Sequence, residues 1–321
     1  MPAVMHAVRI HTRGGPEVLT YEEVPRPEPG PGEVLIRVHA AGMNPPDWYA
    51  RGGFADIPED LRPRVPLPYT PGTDVSGVVA ALGPGVTEWQ VGDEVFGLLR
   101  FPSMGARAYA EYTTSPVGDL ARKPGSVDHV HAAGVPMAGL TAYQFLFDYI
   151  GLEPGSRVLV NGAAGGIGHF AVQLAKGAGC HVIGVASGRH EAFLKELGVD
   201  EFIDYTRVAP EEVVGDVDYL LDTVGRQQGY RLLPTIRNGG VYSPCFLVDF
   251  GDEELAKRGI VKRGGQVRSD GAHLAELAGL MEDGRLRVGI DSVFPLREAA
   301  KAHERAERGH IQGKIVLQVV A

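Results

Sequence analysis

The chain has 321 residues, 44% hydrophobic and 22% charged, with a net charge of −9 from 31 Lys+Arg against 40 Asp+Glu. That length calls for two domains rather than one small core, and the acidic balance argues against a nucleic-acid footprint or electrostatic attachment to an anionic membrane. No apolar run approaches the ~18 residues of a membrane span, and two cysteines, Cys180 and Cys245, fit a reducing compartment rather than a disulfide framework.

The N-terminal stretch MPAVMHAVRIHTRGG carries no apolar signal region, so a soluble, cytoplasmic protein is expected. The first third then reads as β. HAVRIHT, EVLIRVHAAG, DVSGVVAALG and DEVFGLL are short β-branched runs separated by clusters such as RPEPGPGE and ALGPGV, the pattern of a partly open barrel or sandwich. Near Lys123-Pro124 the pattern changes. RVLVN is a buried-strand run, and GIGHFAVQLAK has apolar residues at helical spacing. Strand HVIGVA, helix HEAFLKELG, strands EFIDY and VDYLLDTVG, a helix to Ile236 and strand GGVYSP follow. Such alternation predicts a doubly wound parallel sheet. After about Ser269 come a helix (Ala272–Met281), strand SVFPL, a helix (Leu296–Arg308) and strand KIVLQVV, which is expected to return to the N-terminal β region.

The strongest local motif is Arg157–Gly168, RVLVNGAAGGIG. A buried strand ends, a glycine-rich turn follows and a helix opens, which is the context of a dinucleotide site. Glycines permit close backbone approach to a pyrophosphate, and the helix start offers N–H groups and a positive dipole end. Ala163, Ala164, Gly165, Gly166, Ile167 and Gly168 are therefore the expected cofactor turn, with Ala163 in the first glycine slot. An NAD site wants an acid about 20 residues further on. Here the next strand runs into Ala186-Ser187-Gly188-Arg189, with no acid at its tip. A hydroxyl and an arginine suit a 2′-phosphate, so NADP(H) is the expected cofactor, with Glu191 close enough to complicate the choice.

Taken in order, GMNPPDWYARG, PYTPGTDVSGVV, VGDEVFG, AGLTAYQFL, the glycine turn, LKELGVDEFIDY, LDTVG and GHIQGKIVL resemble the medium-chain dehydrogenase/reductase superfamily. The chain looks most similar to its zinc-independent quinone oxidoreductase branch, of the zeta-crystallin type. The resemblance implies an α/β fold: a GroES-like β-rich catalytic domain (1–123), a Rossmann doubly wound parallel-sheet domain binding NADP(H) (124–268), and a C-terminal return to the catalytic domain (269–321). It implies an active site in the cleft between domains. It also implies a homodimer paired through a Rossmann strand, here expected at Ile260–Val267.

Zinc-dependent relatives hold a catalytic metal with a Cys, a His and a further Cys. Asn44, Thr73 and Met137 stand at those positions, and no cysteine occurs before Cys180 to build a structural zinc lobe. The eleven histidines show no ligand spacing and read as surface or capped groups. No metal is expected. Without a Lewis acid, alcohol oxidation is demanding, whereas a quinone or α,β-unsaturated carbonyl accepts hydride with an anion it already stabilises. The expected activity is therefore NADPH-dependent reduction of such a small molecule, with no nucleic-acid or membrane partner.

By the same resemblance Asn44 and Tyr49 line the cleft. Asn44 would bond the nicotinamide ribose or the substrate carbonyl, and Tyr49 would donate a proton or hydrogen bond to a developing oxyanion, unless it merely packs beside Trp48. Asp47 sits with them, as an orienting group more than a general acid. Thr141 resembles a nicotinamide-side contact. Ser187, Arg189 and Tyr205 would hold the adenosine 2′-phosphate end. Thr223 and Val224 end a parallel strand, Phe246 and Val248 follow another, and Gln312 and Lys314 come back to the cleft. Lys314 reads equally as a solvated lysine at a strand start. Cys245 is assigned no role. Two alternatives stay open: a non-catalytic NADPH-binding redox sensor, and an enoyl-thioester reductase. The segments Phe54–Tyr69 and Arg100–Arg107 are expected at the pocket mouth.

Overall fold

The computed structural model describes residues 3–55, 57–100, 107–246 and 252–320. Strands β1 (Val4–Ile10) and β2 (Leu19–Pro25) form an antiparallel pair. The main N-terminal sheet is built on β3 (Glu33–Gly42), which leads through Met43 and Asn44 into the short helix α1 (Pro45–Arg51). Strand β4 (Asp74–Leu82) pairs along one edge of β3, and β5 (Glu94–Leu98) pairs with β4. Strand β6 (Tyr112–Pro116) covers only the Glu33–Arg37 half of the other edge, and β7 (Leu120–Arg122) pairs with β5. The far end of β3, next to Asn44, is thus open to another strand. The strands β2, β6 and β7 are short or half exposed, which is why their sequences carry little alternation to read.

Helices α2 (His129–Ala133) and α3 (Pro136–Tyr143) follow, and α3 runs on through a wider π-type turn at Gln144–Ile150. The second sheet is wholly parallel. Its strands are β8 (Arg157–Asn161), β9 (His181–Ala186), β10 (Glu201–Asp204), β11 (Val217–Asp222), β12 (Ile236–Pro244) and β13 (Val261–Lys262), in the order β10-β9-β8-β11-β12-β13. Helices α4 (Gly168–Gly177), α5 (Glu191–Glu196), α6 (Pro210–Val213), α7 (Arg226–Tyr230) and α8 (Asp252–Lys257) connect them. Val158 and Val160 face one apolar cluster while Leu159 faces another, so β8 is buried on both sides. Each such side chain contributes about 1.5–3 kcal/mol, and an acid at Leu159 would break the sheet's centre. Strand order reverses between β8 and β11, the position where open parallel sheets bind ligands at their carboxyl ends.

Two expectations are corrected. The helix expected to reach Ile236 ends at Tyr230, because Pro234 lies in a tighter turn at Leu233–Thr235. The strand expected at Ile260–Val267 is only Val261–Lys262, with glycines at 264 and 265 following it.

Helix α9 (Gly271–Glu282) leads to β14 (Ile290–Pro295), α10 (Ala299–Glu307) and β15 (Lys314–Gln318). Strand β15 runs parallel to β14 and antiparallel to β3, pairing Val316 with Gly42 and Gln318 with Ala40. It fills the open half-edge of β3 and brings Lys314 beside the residues that follow Gly42. Among the described residues no helix is long and apolar enough to cross a membrane.

Candidate functional site

The glycine turn joins β8 to α4 at the switch point. Gly162 has φ 77°, and a Cβ there would meet Thr223 Oγ1 at 2.5 Å. A Cβ on Gly168 would lie 2.2 Å from the Gly162 oxygen and 2.7 Å from Ala163 Cα. Gly162 is therefore demanded by its positive φ and Gly168 by close backbone approach. No side chain caps the start of α4, which leaves it suited to an anion. The turn is braced from below: Thr223 Oγ1 donates to the Asn161 oxygen at 2.7 Å, and Asn161 Nδ2 donates to Asp222 Oδ1 at 2.8 Å. It is braced from the side by His169, which is fully buried. His169 Nδ1 donates to the Gly165 oxygen (2.9 Å), and its Nε2 accepts from Gly289 N (3.3 Å). Burial holds the imidazole neutral, its pKa pulled down to about 4.

At the tip of β9, Ser187 Oγ is buried and has no partner among the described residues. Tyr205, the residue after β10, is half exposed, its N–H on the Ala186 oxygen at 3.3 Å. Arg189 donates through Nη2 to the His310 oxygen and through Nε to His190 Nε2 (3.0 Å), while His190 Nδ1 pairs with Gln312 Oε1 at 2.9 Å. Ser187, Arg189, Tyr205 and Gln312 thus gather at one place. So does an acid the sequence reading did not place there. A Cβ on Gly188 would stand 2.4 Å from Asp204 Oδ2, and the Gly188 N–H helps hold that carboxylate's pKa down, behind the hydroxyl of Thr206. Asp204 ends β10, one strand over from the tip that sequence spacing points to.

The other strand ends meet the turn as well. Val224 is half exposed, and Gly225, at φ 79°, lies under the ring of Phe246, where a Cβ would be 2.7 Å from the ring edge. Val248 lies outside the described residues, as do residues 101–106 of the expected mouth loop. Thr141 Oγ1 donates to the Met137 oxygen one helical turn back, at 2.6 Å.

Opposite the turn is the loop after β3. Asn44, Asp47, Thr73, Asp74 and Lys314 are all buried. The Asp47 carboxylate accepts from Asn44 N (2.9 Å), Gly72 N (3.0 Å) and the Tyr109 hydroxyl (3.3 Å). From the third position of α1 it caps the helix start and ties that start to the loop of Thr73. Burial pushes its pKa up to about 7 against those two backbone bonds. Asp74 Oδ1 accepts from Met137 N at 2.9 Å, and burial lifts its carboxyl to about 6 with Lys314 opposing. Tyr49, on the outer face of α1, is exposed and stands edge-on to Trp48 at 5.9 Å.

Lys314 is not a solvated lysine: it is 4% exposed. Its Nζ donates to the Met43 oxygen at 2.8 Å and to Asn44 Oδ1, and lies 3.8 Å from Asp74 Oδ2. Asn44 Nδ2 in turn donates to Thr73 Oγ1 at 3.2 Å. The residues at two of the metal-ligand positions are therefore hydrogen-bonded to one another, with an ammonium on the first of them. An amide, a hydroxyl and a fixed cation do not fit a zinc ion, which wants three anionic or imidazole-type donors. Among the described residues no group of three or more His, Cys, Asp or Glu is placed to hold a metal. The dinucleotide fits: the turn provides the cradle and Ser187 an unused hydroxyl.

Tyr109, Asp74, Asp204 and His169 were missed by the sequence reading. An acid directly before the apolar run of β4 was the signal for Asp74, and a histidine inside an otherwise apolar helix face was the signal for His169. His303, read with the other histidines as a surface or capped group, is fully buried with Nδ1 accepting from Arg51 Nη1 at 2.8 Å.

Comparison with known proteins places this geometry. Residues 30–125 match the alcohol dehydrogenase GroES-like domain, and residues 197–317 match the family described as zinc-binding dehydrogenase. The 2-haloacrylate reductase of a Burkholderia species is 34% identical, covering 98% of this chain and 98% of that protein. The mouse mitochondrial NAD(P)H oxidoreductase RTN4IP1 is 33% identical, covering 90% of this chain and 82% of that protein. The solved quinone oxidoreductase of Coxiella burnetii superposes with a TM-score of 0.91 at 34% identity, over 99% of this chain and 100% of that one. The chain belongs to the medium-chain dehydrogenase/reductase superfamily, in its quinone oxidoreductase branch, and is an NAD(P)H-dependent oxidoreductase.

Proposed function

We propose that the chain is a metal-independent reductase that takes hydride from NADPH to a quinone or to the C=C of an α,β-unsaturated carbonyl. The observation that carries this is the buried Lys314 ammonium on Asn44, where zinc-dependent relatives place their first metal ligand. A relative named as a 2-haloacrylate reductase and another titled a quinone oxidoreductase support the acceptor class. When bound, the nicotinamide cofactor supplies the hydride. The turn at Ala163–Gly168 holds the pyrophosphate through backbone N–H groups, and Thr223, Val224 and Phe246 wall the nicotinamide side with Thr141. Ser187, Arg189 and Tyr205 take the 2′-phosphate. Asn44 presents its amide to the ribose or the acceptor, Asp47 keeps its loop in place, and Tyr49 hydrogen-bonds the acceptor's oxygen as it becomes anionic. Two electrons and one proton arrive as hydride, and a second proton from solvent or Tyr49 completes the reduction. The catalytic and cofactor-binding regions divide at residue 123, with the return from residue 269 closing the cleft.

The test is initial-rate oxidation of NADPH and NADH by the purified protein with an ortho-quinone and with an alkenal. Turnover with NADPH well above NADH supports the reading. Saturable NADPH binding with no turnover on either acceptor refutes it in favour of a binding protein. Asp204 at Gly188 favours one second reading, an enzyme that prefers NADH, because a carboxylate there repels a 2′-phosphate and can accept from a ribose hydroxyl. Pairing of two copies through the β13 edge completes the proposal, and sedimentation mass checks it.

A further inference from the structure

We propose that Lys314 is a built-in cation that replaces the missing metal: its ammonium fixes the Asn44 amide in one orientation and sets a positive potential where an acceptor's oxygen becomes anionic. The inference rests on the metal-independent reading above and extends it to a residue that acts through Asn44, as a positioning residue.

Burying an ammonium is costly unless its protons are satisfied, and burial pulls the Lys314 pKa down while the Asp74 and Asp47 carboxylates oppose it. The usual compensation is a carboxylate in contact. Here the nearest carboxylate oxygen, Asp74 Oδ2, stands at 3.8 Å, longer than an ordinary hydrogen bond. The lysine's short contacts go to neutral oxygens instead, the Met43 carbonyl and the Asn44 amide. The positive charge is thus balanced across a gap rather than quenched by contact.

That arrangement has a direct consequence for Asn44. An ammonium only donates, so the amide can turn only its oxygen to it. The NH₂ must then face the other way, where one hydrogen reaches Thr73 Oγ1 at 3.2 Å. The Asn44 side chain also helps hold down the pKa of the neighbouring Asp74 carboxyl, so its NH₂ faces Thr73 and Asp74. Lys314 therefore converts an ambiguous amide into one of fixed orientation, its oxygen on the ammonium and its NH₂ toward Thr73 and Asp74.

The lysine also links this amide to the cofactor turn. A Cβ on Gly166 would stand 3.4 Å from Lys314 Cδ, so the stem lies over that glycine. Gly313 N donates to the Ala164 oxygen at 2.8 Å, and Lys314 N donates to the Gly289 oxygen at 2.8 Å. The start of β15 is pinned to the turn on one side and to the Asn44 loop on the other. A bare structural tie would need neither the charge nor the amide contact.

The experiment uses Lys314→Ala, Lys314→Met and Lys314→Arg in the full chain, with n-propylammonium and 1-propanol as additives. The amine restores the three carbons and the charge that Lys314→Ala removes, and the alcohol restores the shape without the charge. Lys314→Ala and Lys314→Met should lower kcat on the order of a hundredfold with a much smaller change in cofactor Kd. Propylammonium should restore kcat of Lys314→Ala saturably, 1-propanol should not, and Lys314→Arg should stay within about tenfold of the parent. In the cofactor-free Lys314→Ala protein the amine should raise Tm saturably and the alcohol should not. Asn44→Ala combined with Lys314→Met should lose no more than the worse single variant, as expected for residues acting as a unit. The proposal is overturned if Lys314→Met keeps its kcat, if both additives restore equally, or if the two losses multiply. Should Lys314→Ala not fold, Lys314→Met and the double variant still decide. If the parent turns over none of the acceptors, the reductase reading fails, and the thermal arm still reports on the lysine's charge.

Discussion

Gly168→Ala tests whether close packing at the start of α4 builds the cofactor site. The added Cβ would stand 2.2 Å from the Gly162 oxygen, 2.7 Å from Ala163 Cα and 2.8 Å from Ala163 C. All three are backbone atoms, so no side chain can swing aside. To restore ordinary contacts near 3.4 Å, the helix start and the turn must separate by roughly 1 Å, and overpacking of this kind costs about 1–3 kcal/mol. At about 2–4 °C of Tm per kcal/mol for a larger domain, the expected loss is about 2–12 °C. The separation also drags the N–H groups of the turn off the pyrophosphate, and a misplacement on the order of 1 Å costs on the order of a hundredfold in a positioned site. Gly177→Ala, at the other end of the same helix, is the control, since a Cβ there meets nothing within 4 Å. It should leave cofactor affinity unchanged and stability equal or higher by up to about 1 kcal/mol. Fluorescence titration with NADPH and NADH, beside thermal melts, reads both. A Gly168→Ala protein that melts like the parent and binds both dinucleotides with parental affinity would refute the reasoning.

Arg189→Ala should weaken NADPH binding on the order of tenfold or more and leave NADH nearly unchanged, because only the former carries the 2′-phosphate an arginine can hold. Asp204→Ala should move preference toward NADPH; steady-state KM for both donors reads each shift, and an equal effect on the two donors would place these residues away from the ribose. Stability should carry the mark of Asp47. Its carboxyl is lifted from 3.8 to about 7 in the fold, mainly by burial. The folded chain therefore holds a proton that the unfolded chain has lost between about pH 4 and 7, and stability from this group is full below about pH 4 and falls as pH rises to 7. The gap of roughly three pKa units is on the order of 4 kcal/mol. Buried His169 and His303, lowered to about 4 and about 3, pull the opposite way. The readout is consequently the difference in urea stability between Asp47→Asn and the parent at pH 5 and pH 8, which should shift in favour of the variant at the higher pH.

The sequence carried the parts of the site that are local. The glycine turn sits between a strand and a helix only residues apart, so RVLVNGAAGGIG was readable without any tertiary knowledge. The residues at the expected metal-ligand positions, Asn44, Thr73 and Met137, were readable too, because each is a residue type at a motif position. What spacing could not carry was the partner across the fold. Lys314 lies 270 residues from Asn44, and they meet only because β15 fills the half-edge of β3 that β6 leaves open. From sequence alone a lysine at a strand start is indistinguishable from a solvated one. Asp204 was missed for a related reason: the spacing rule looks along β9, while the acid enters from β10 beside it. Tyr109 meets Asp47 across 62 residues through a loop contact that has no periodicity. The β13 edge was overread because a β-branched start is followed by glycines that end it.

The central claim is that a lysine, not a metal ion, supplies the fixed positive charge in this cleft. The measurement that tests it most directly is NADPH oxidation against the preferred acceptor before and after exhaustive chelation, with zinc added back and bound metal determined in parallel. The account predicts an unchanged rate, less than stoichiometric zinc, and no gain on add-back. Activity that disappears with the chelator and returns with one equivalent of zinc would contradict it.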